Sequence, residues 1–187
     1  MNEPTRDEAL MAEVAKGNKE TLETLIRRHA TPLLNFLHRM TGDYHHGEEL
    51  FQEVFLAVWT KRALYEYPRP FKTWLYAIAV NCCRDNFRRA QPATTPLADN
   101  DLPESHVGQN SPVMTAIAAE RTAIIADAVA RLPEPQRVVV VLRVWQQMSY
   151  AEIAKVVDQA EATVRSHMHR GLCALREMLE GRLGEDD

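Results

Sequence analysis

Three groups of polar side chains have the types and spacing to do chemistry. His45, His46, Glu48, Glu49 and Glu53 gather imidazoles and carboxylates in one short stretch, the raw material of a metal centre. Di-metal helical bundles, however, take Glu-x-x-His pairs from separate helices, and this chain has no two that pair up. His169 and Cys173 stand four residues apart, a lone pair of ligand types better read as coincidence than as a site. The third group is Arg165, Ser166, His169 and Arg170. Arginine can bond a guanine edge bidentately, and Ser or His can reach bases or phosphates. No nucleophile–base constellation stands out. The residues argue against an enzyme and call for no cofactor and no metal.

The elements that must carry these groups all read as helices. Leu10, Met11 and Val14 give a short apolar face that Gly17-Asn18 ends. Leu22, Leu25, Ile26, Leu33, Leu34, Leu37 and Met40 continue at three-to-four spacing, with a kink expected at Pro32. From Tyr44 to Lys61, Leu50, Val54 and Val58 fall at four-residue steps, with Phe51 and Phe55 beside them. Glu48, Glu49, Gln52 and Glu53 decorate the start of that helix, where carboxylates also suit the helix dipole. After a Pro-containing turn, Phe71, Trp74, Leu75 and Ile78 mark a fourth amphipathic helix that closes on Arg88-Arg89.

The second half begins with an alanine-rich helix over 114–131. Val138 to Leu142 is β-branched enough to be a strand by propensity, but it reads as helix because the apolar run continues to Trp145 and no partner strand exists. Ser149-Tyr150-Ala151-Glu152 is a capping box, opening a short helix that ends near Asp158. Val164, Met168, Leu175 and Leu179 form the buried stripe of a last helix, with Ser166, His169 and Arg170 off it. A short capped helix, a tight turn and a longer helix with a polar face describe a helix-turn-helix. Geometry alone weighs a DNA reader and a plain αα-hairpin with solvated arginines about evenly.

Between the halves, QPATTPLADNDLPESHVGQNSP (91–112) holds four prolines, no Lys or Arg and no hydrophobic period, and it reads as a flexible linker. The expected fold class is all-α: two small helical domains, 1–90 and 113–187, joined by that linker, the second containing the helix-turn-helix. A hydrophobic content of 45% suits a folded chain. No apolar run approaches the roughly eighteen residues of a bilayer span, and the acidic N-terminus is unlike a signal peptide. Three cysteines, two of them adjacent, make no disulfide framework. A cytoplasmic protein without a membrane partner is expected. The charge is uneven: +1 over 1–90, -3 over 91–112 and -2 over 113–187. A protein that grips DNA alone usually carries a basic surplus, so contact with nucleic acid here would need help.

The wording of the sequence tips the balance toward DNA. Leu132-Pro133, Gln136-Arg137, Leu142-Arg143, Ser149 to Ala154, Thr163 to Ser166 and His169-Arg170 closely resemble the −35-reading domain of bacterial sigma factors, especially the extracytoplasmic-function (ECF) group. Glu48-Glu49-Leu50-Phe51-Gln52-Glu53-Val54-Phe55 resembles the family's polymerase-core-binding helix, and Phe71, Trp74-Leu75, Ile78-Ala79, Asn81, Asp85 and Arg88-Arg89 resemble its melting and −10-reading region. Asp158 stands where the family usually has Gly, and Asp tolerates a left-handed backbone better than most residues.

The resemblance implies a sigma factor that does no covalent chemistry. It would bring RNA polymerase core to promoter DNA, read the −35 and −10 elements and help to melt the promoter. Glu49, Gln52 and Glu53 would meet a basic coiled coil of the polymerase clamp; without the resemblance they would pass for a solvated helix start. Asn81 would contact the edge of a captured base, with Trp74 a core anchor, while Lys72, Arg84, Arg88 and Arg89 would hold −10 DNA. Thr163, Arg165, Ser166, His169 and Arg170 would contact −35 DNA, beside a −35-side surface of the polymerase. A separate anti-sigma protein is a candidate further partner. The two elements lie about two duplex turns, roughly 70 Å, apart. Twenty-two residues reach at most about 75 Å, so two domains on this tether can bridge them.

Overall fold

The computed structural model describes residues 6–90 and 114–183; the proposed linker, 91–112, lies outside the described residues. Eight α-helices and one turn of 3-10 helix (Arg62–Leu64) make up the described chain. In the first half, α1 (Asp7–Ala15) buries Met11 and Val14 and is followed by Gly17 at φ 101°. Asp7 ties its start to α2 (Lys19–Thr41), accepting from Arg28 and meeting His29 Nε2, both at 2.7 Å. Asn18 caps α2, which runs through Pro32 as a single helix and stops at Gly42 with φ 73°. Asp43 caps α3 (Tyr44–Thr60) by accepting from the His46 amide at 3.0 Å. Leu50, Val54 and Val58 are buried as their four-residue spacing requires. A turn with a cis Tyr67–Pro68 bond leads into α4 (Phe71–Ala90). Trp74 is buried and packs edge-on against Tyr65, so it is a core anchor.

In the second half, α5 (Met114–Ala130), α6 (Glu134–Val144), α7 (Tyr150–Val157) and α8 (Glu161–Leu183) form a second helical group. The β-branched run is helical: Val138, Val139, Val140, Val141 and Leu142 all lie in α6, each at most 1% exposed. A helix apolar on every side must be covered on every side. One cover is α8, where Gly171 comes so close that a Cβ there would sit 2.8 Å from Val140 Cγ2. Another is α2, from the first half.

The two helical groups are therefore in contact. Besides α2 on α6, α2 packs on α5 and α4 on α7, and the buried side chains of both halves join in one core. The Arg137 guanidinium crosses the boundary, donating to the Met40 carbonyl at 2.6 Å and to its own side's Leu132 carbonyl at 3.0 Å.

At an open helix position a Gly costs about 1 kcal/mol relative to Ala, so Gly171 is present for the close approach. Filling that space with a branched side chain, Gly171→Val, is expected to cost about 1–3 kcal/mol by overpacking. A thermal melt followed by circular dichroism should show a lowered midpoint; an unchanged or raised midpoint would contradict the α6–α8 packing.

Candidate nucleic-acid interface

The helix-turn-helix is built from α7 and α8. The Ser149 hydroxyl accepts from the Glu152 amide at 3.2 Å, and the Glu152 carboxylate accepts from the Ser149 amide at 2.7 Å, completing the capping box. These bonds to Ser149 hold the Glu152 carboxyl below its ordinary range. Asp158 ends α7 with φ 54° and ψ 54°, the left-handed turn in which Asp stands in for Gly. Ile153, Val156 and Val157 are buried with Val164 and Met168 of α8. That burial leaves the other face of α8 free: Thr163, Arg165, His169 and Arg170 are exposed and Ser166 is half-buried. Arg165 pairs with Glu161 at 2.5 Å and lies over the Tyr150 ring at 4.4 Å, with Arg143 at 5.0 Å from the same ring. An exposed i,i+4 pair contributes only about 0.3–0.5 kcal/mol, so Arg165 can exchange Glu161 for a phosphate or base at little cost.

The other groups sit on α3 and α4. Glu49, Gln52 and Glu53 are exposed along one face of α3. Leu56, 66% exposed, continues that face. Sequence reasoning missed Leu56, although its place off the Leu50/Val54/Val58 stripe was a signal. On α4, Asn81 is exposed. Arg88 pairs with Asp85, and Arg89 lies 4.0 Å from Glu53, placing the α3 and α4 groups side by side. Lys72 and Arg84 are engaged differently. Lys72 Nζ donates to the Gln146 carbonyl at 2.7 Å, and Arg84 Nε donates to Glu134 at 3.0 Å, both in the second half. Sequence reasoning also missed Gln146, a polar residue only 6% exposed.

The histidine–carboxylate stretch does not converge. His45, Glu48, Glu49 and Glu53 are exposed, His46 is half-buried, and the His45 ring lies edge-on to Tyr44. His169 and Cys173 approach to 3.9 Å. Among the described residues no three His, Cys, Asp or Glu side chains gather as a metal site requires. The buried Cys83 thiol is pushed up to about 12 by desolvation, which leaves it unreactive. Among the described residues no helix is long and apolar enough to cross a membrane.

Comparisons with known proteins agree with this layout. Residues 25–92 match the family described as Sigma-70 region 2, and residues 122–175 match Sigma-70, region 4. Among similar proteins, the ECF RNA polymerase sigma factor SigM of Mycobacterium tuberculosis is 30% identical, over 95% of this chain and 86% of its own. SigW of Bacillus subtilis is 28% identical, over 89% of this chain and 93% of its own. The solved structure of CnrH in complex with the cytosolic domain of CnrY shares the fold at TM-score 0.70 and 23% identity, covering 94% of this chain and 97% of that one. RpoE in complex with the anti-sigma factor NepR, from Bartonella quintana, does so at TM-score 0.68 and 20% identity, covering 84% and 96%. The fold and the paired regions define a transcription initiation factor of the sigma-70 class. Within that class, the chain belongs to the ECF group of RNA polymerase sigma factors, and it directs promoter-specific transcription initiation.

The capping box gives a pH-dependent test of the α7 start. Glu152→Ala is expected to cost about 1 kcal/mol near neutral pH. Because the folded carboxyl is held below its ordinary range, its stabilising part is complete above about pH 4.3. It is lost as pH falls through the depressed value. Urea midpoints of wild type and variant should differ at pH 7 and converge in acid; a constant gap would contradict the charged cap.

Proposed function

We propose that residues 1–90 bind RNA polymerase core and melt and read the −10 element, that residues 113–187 read the −35 element, and that residues 91–112 tether the two. The observation that carries this reading is the exposed α8 face, Thr163, Arg165, His169 and Arg170, presented by a capped α7 whose apolar side (Ile153, Val156, Val157) is buried. A helix so placed can enter a major groove with its N-terminal residues toward the bases.

On α3, Glu49, Gln52 and Glu53 offer acceptors around the exposed Leu56. A basic helical partner, the clamp coiled coil of the polymerase, complements them; the charges set register and on-rate, while burial of Leu56 adds affinity. Asn81 is free to meet the edge of an unpaired base, and Arg88 and Arg89 are exposed beside it for phosphates. Lys72 and Arg84 complete that group once they leave their intramolecular partners. The protein works by binding, in the cytoplasm, without covalent chemistry. An anti-sigma protein is a further proposed partner, since RpoE of Bartonella quintana was solved with one.

The net charge of -2 over residues 113–187 gives few uncompensated cations for phosphates, so DNA affinity comes with the polymerase. Gln52→Ala with Glu53→Lys should abolish binding in a titration against core enzyme while helicity stays near wild type. In reconstituted holoenzyme, Arg170→Ala should lower initiation at −35-dependent promoters far more than on templates lacking that element. Unchanged core affinity, or equal loss on both templates, would overturn the assignment concerned.

A further inference from the structure

A cavity of about 220 Å³ lies beside α2, and the function proposed above makes no use of it. Thr31, Pro32, Asn35 and Arg39 of α2 line it, together with Trp145 and Gln146 from the chain that leaves α6. Thr31, Asn35 and Arg39 stand four residues apart, so they form one row of about 12 Å along the helix. Every polar side chain in the lining can donate, and no Asp or Glu belongs to it. The Arg39 guanidinium lies over the Trp145 ring at 4.7 Å and donates one N–H to the Asn35 main-chain carbonyl at 2.9 Å. Among the described residues its other N–H groups have no acceptor and no carboxylate pairs with it.

Gln146, only 6% exposed, gives one amide hydrogen to the Pro32 carbonyl at 3.1 Å. Its second amide hydrogen has no acceptor among the described residues, and the Thr31 hydroxyl and the Asn35 side-chain amide are also unbonded there. Burial weakens the hold of Arg39 on its proton, and no neighbouring acid offsets this. A guanidinium stays charged all the same, so a half-buried cation stands at the cavity without a counter-charge. A lining of donors without acids selects an oxyanion. A phosphate suits the Arg39 end, because a guanidinium fork can bond two of its oxygens. Bare phosphate would leave the Asn35 and Thr31 end of the row unused, whereas a longer ligand with further oxygen acceptors uses all of it. Small-molecule sites usually hold roughly 300–1,000 Å³, so this cavity admits a small ligand, a sugar phosphate rather than a dinucleotide.

We propose that this cavity binds a small phosphorylated sugar or polyol, with its phosphate on Arg39 and its hydroxyl oxygens accepting from Asn35, Thr31 and the Gln146 amide. The ligand touches α2 and the chain after α6, so its binding free energy adds to the contact between them. Any consequence for transcription rests on the function proposed above; the binding itself does not.

The test uses the full chain free in solution at constant ionic strength, with titration calorimetry for affinity and thermal melts for stability. The probes are ribose 5-phosphate, inorganic phosphate and unphosphorylated ribose. Ribose 5-phosphate should bind and raise the melting midpoint in proportion to the logarithm of its concentration above Kd, as a ligand of the folded state does. Inorganic phosphate should bind more weakly, and ribose should neither bind nor shift the midpoint. Losing a hydrogen bond to a charged group weakens binding about tenfold or more, so Arg39→Lys, which keeps the charge without the fork, should lower the affinity by that factor. Asn35→Asp, at an exposed position, supplies Arg39 with an internal carboxylate. It should abolish binding while the ligand-free midpoint stays near wild type. No heat and no midpoint shift with millimolar ribose 5-phosphate, equal shifts from ribose, or unchanged affinity in Asn35→Asp would overturn the site. A short single-stranded DNA that displaces ribose 5-phosphate, and that Asn35→Asp no longer binds, would overturn it in favour of a nucleic-acid backbone. These readouts involve no polymerase, so the site stands or falls apart from the proposed function.

Discussion

The middle of helix α6 has almost no surface of its own. Five consecutive side chains, Val138 to Leu142, are at most 1% exposed, and five residues span well over one helical turn, so they point in every direction around the axis. A helix of a small three-helix unit turns an apolar side to its core and a polar side to water; the run 138–142 of α6 has no polar side to turn outward. α8 covers one side at the distance that Gly171 permits, and α2 covers another. Once α2 lies there, the chain leaving α6 is delivered onto α4, which brings Gln146 under Tyr76 and beside Lys72. Arg137 must also be accommodated, and its guanidinium finds carbonyls on both sides of the boundary. Burial lowers its affinity for a proton, but a guanidinium remains charged, so its carbonyl partners are obligatory.

Charge and exposure divide the labour on the surface. The acceptors of α3 and the donors of α8 are open to partners, and the cations of α4 are either paired with acids or engaged by the second half. A chain with a net charge of -4 gains little from non-specific attraction to DNA. Specificity then depends on a few well-placed contacts, each good bidentate base contact giving about 1–3 kcal/mol of discrimination. In the proposed function such contacts act only when both reading surfaces are held at the right separation, which would make the relation between the halves as important as the surfaces.

The elements legible in the sequence are those set by local rules. The α3 stripe follows from four-residue spacing, the α7 start from Ser149 and Glu152, and its end from an Asp able to take a positive φ. The helical state of Val138–Leu142 was legible from its continuation and the lack of a partner strand. The same valines also signalled contact with the other half, because an apolar run without a polar side needs more cover than a small domain supplies. Gln146 was not legible: as a single polar residue in a loop, it is buried only because two distant helices offer it a hydroxyl and a carbonyl. Lys72 and Arg84 could be assigned to DNA by resemblance, but their intramolecular partners lie 74 and 50 residues away in the chain, beyond any local pattern.

If the two halves share a core through α6, they should open together. Native-state hydrogen exchange on the free full-length chain measures this directly, because segments in one cooperative unit exchange with one opening free energy. The central amides of α4 and α6 are expected to share an opening energy and the same dependence on denaturant. Independent opening of the two helices, with α6 exchanging at low denaturant while α4 stays protected, would contradict a shared core.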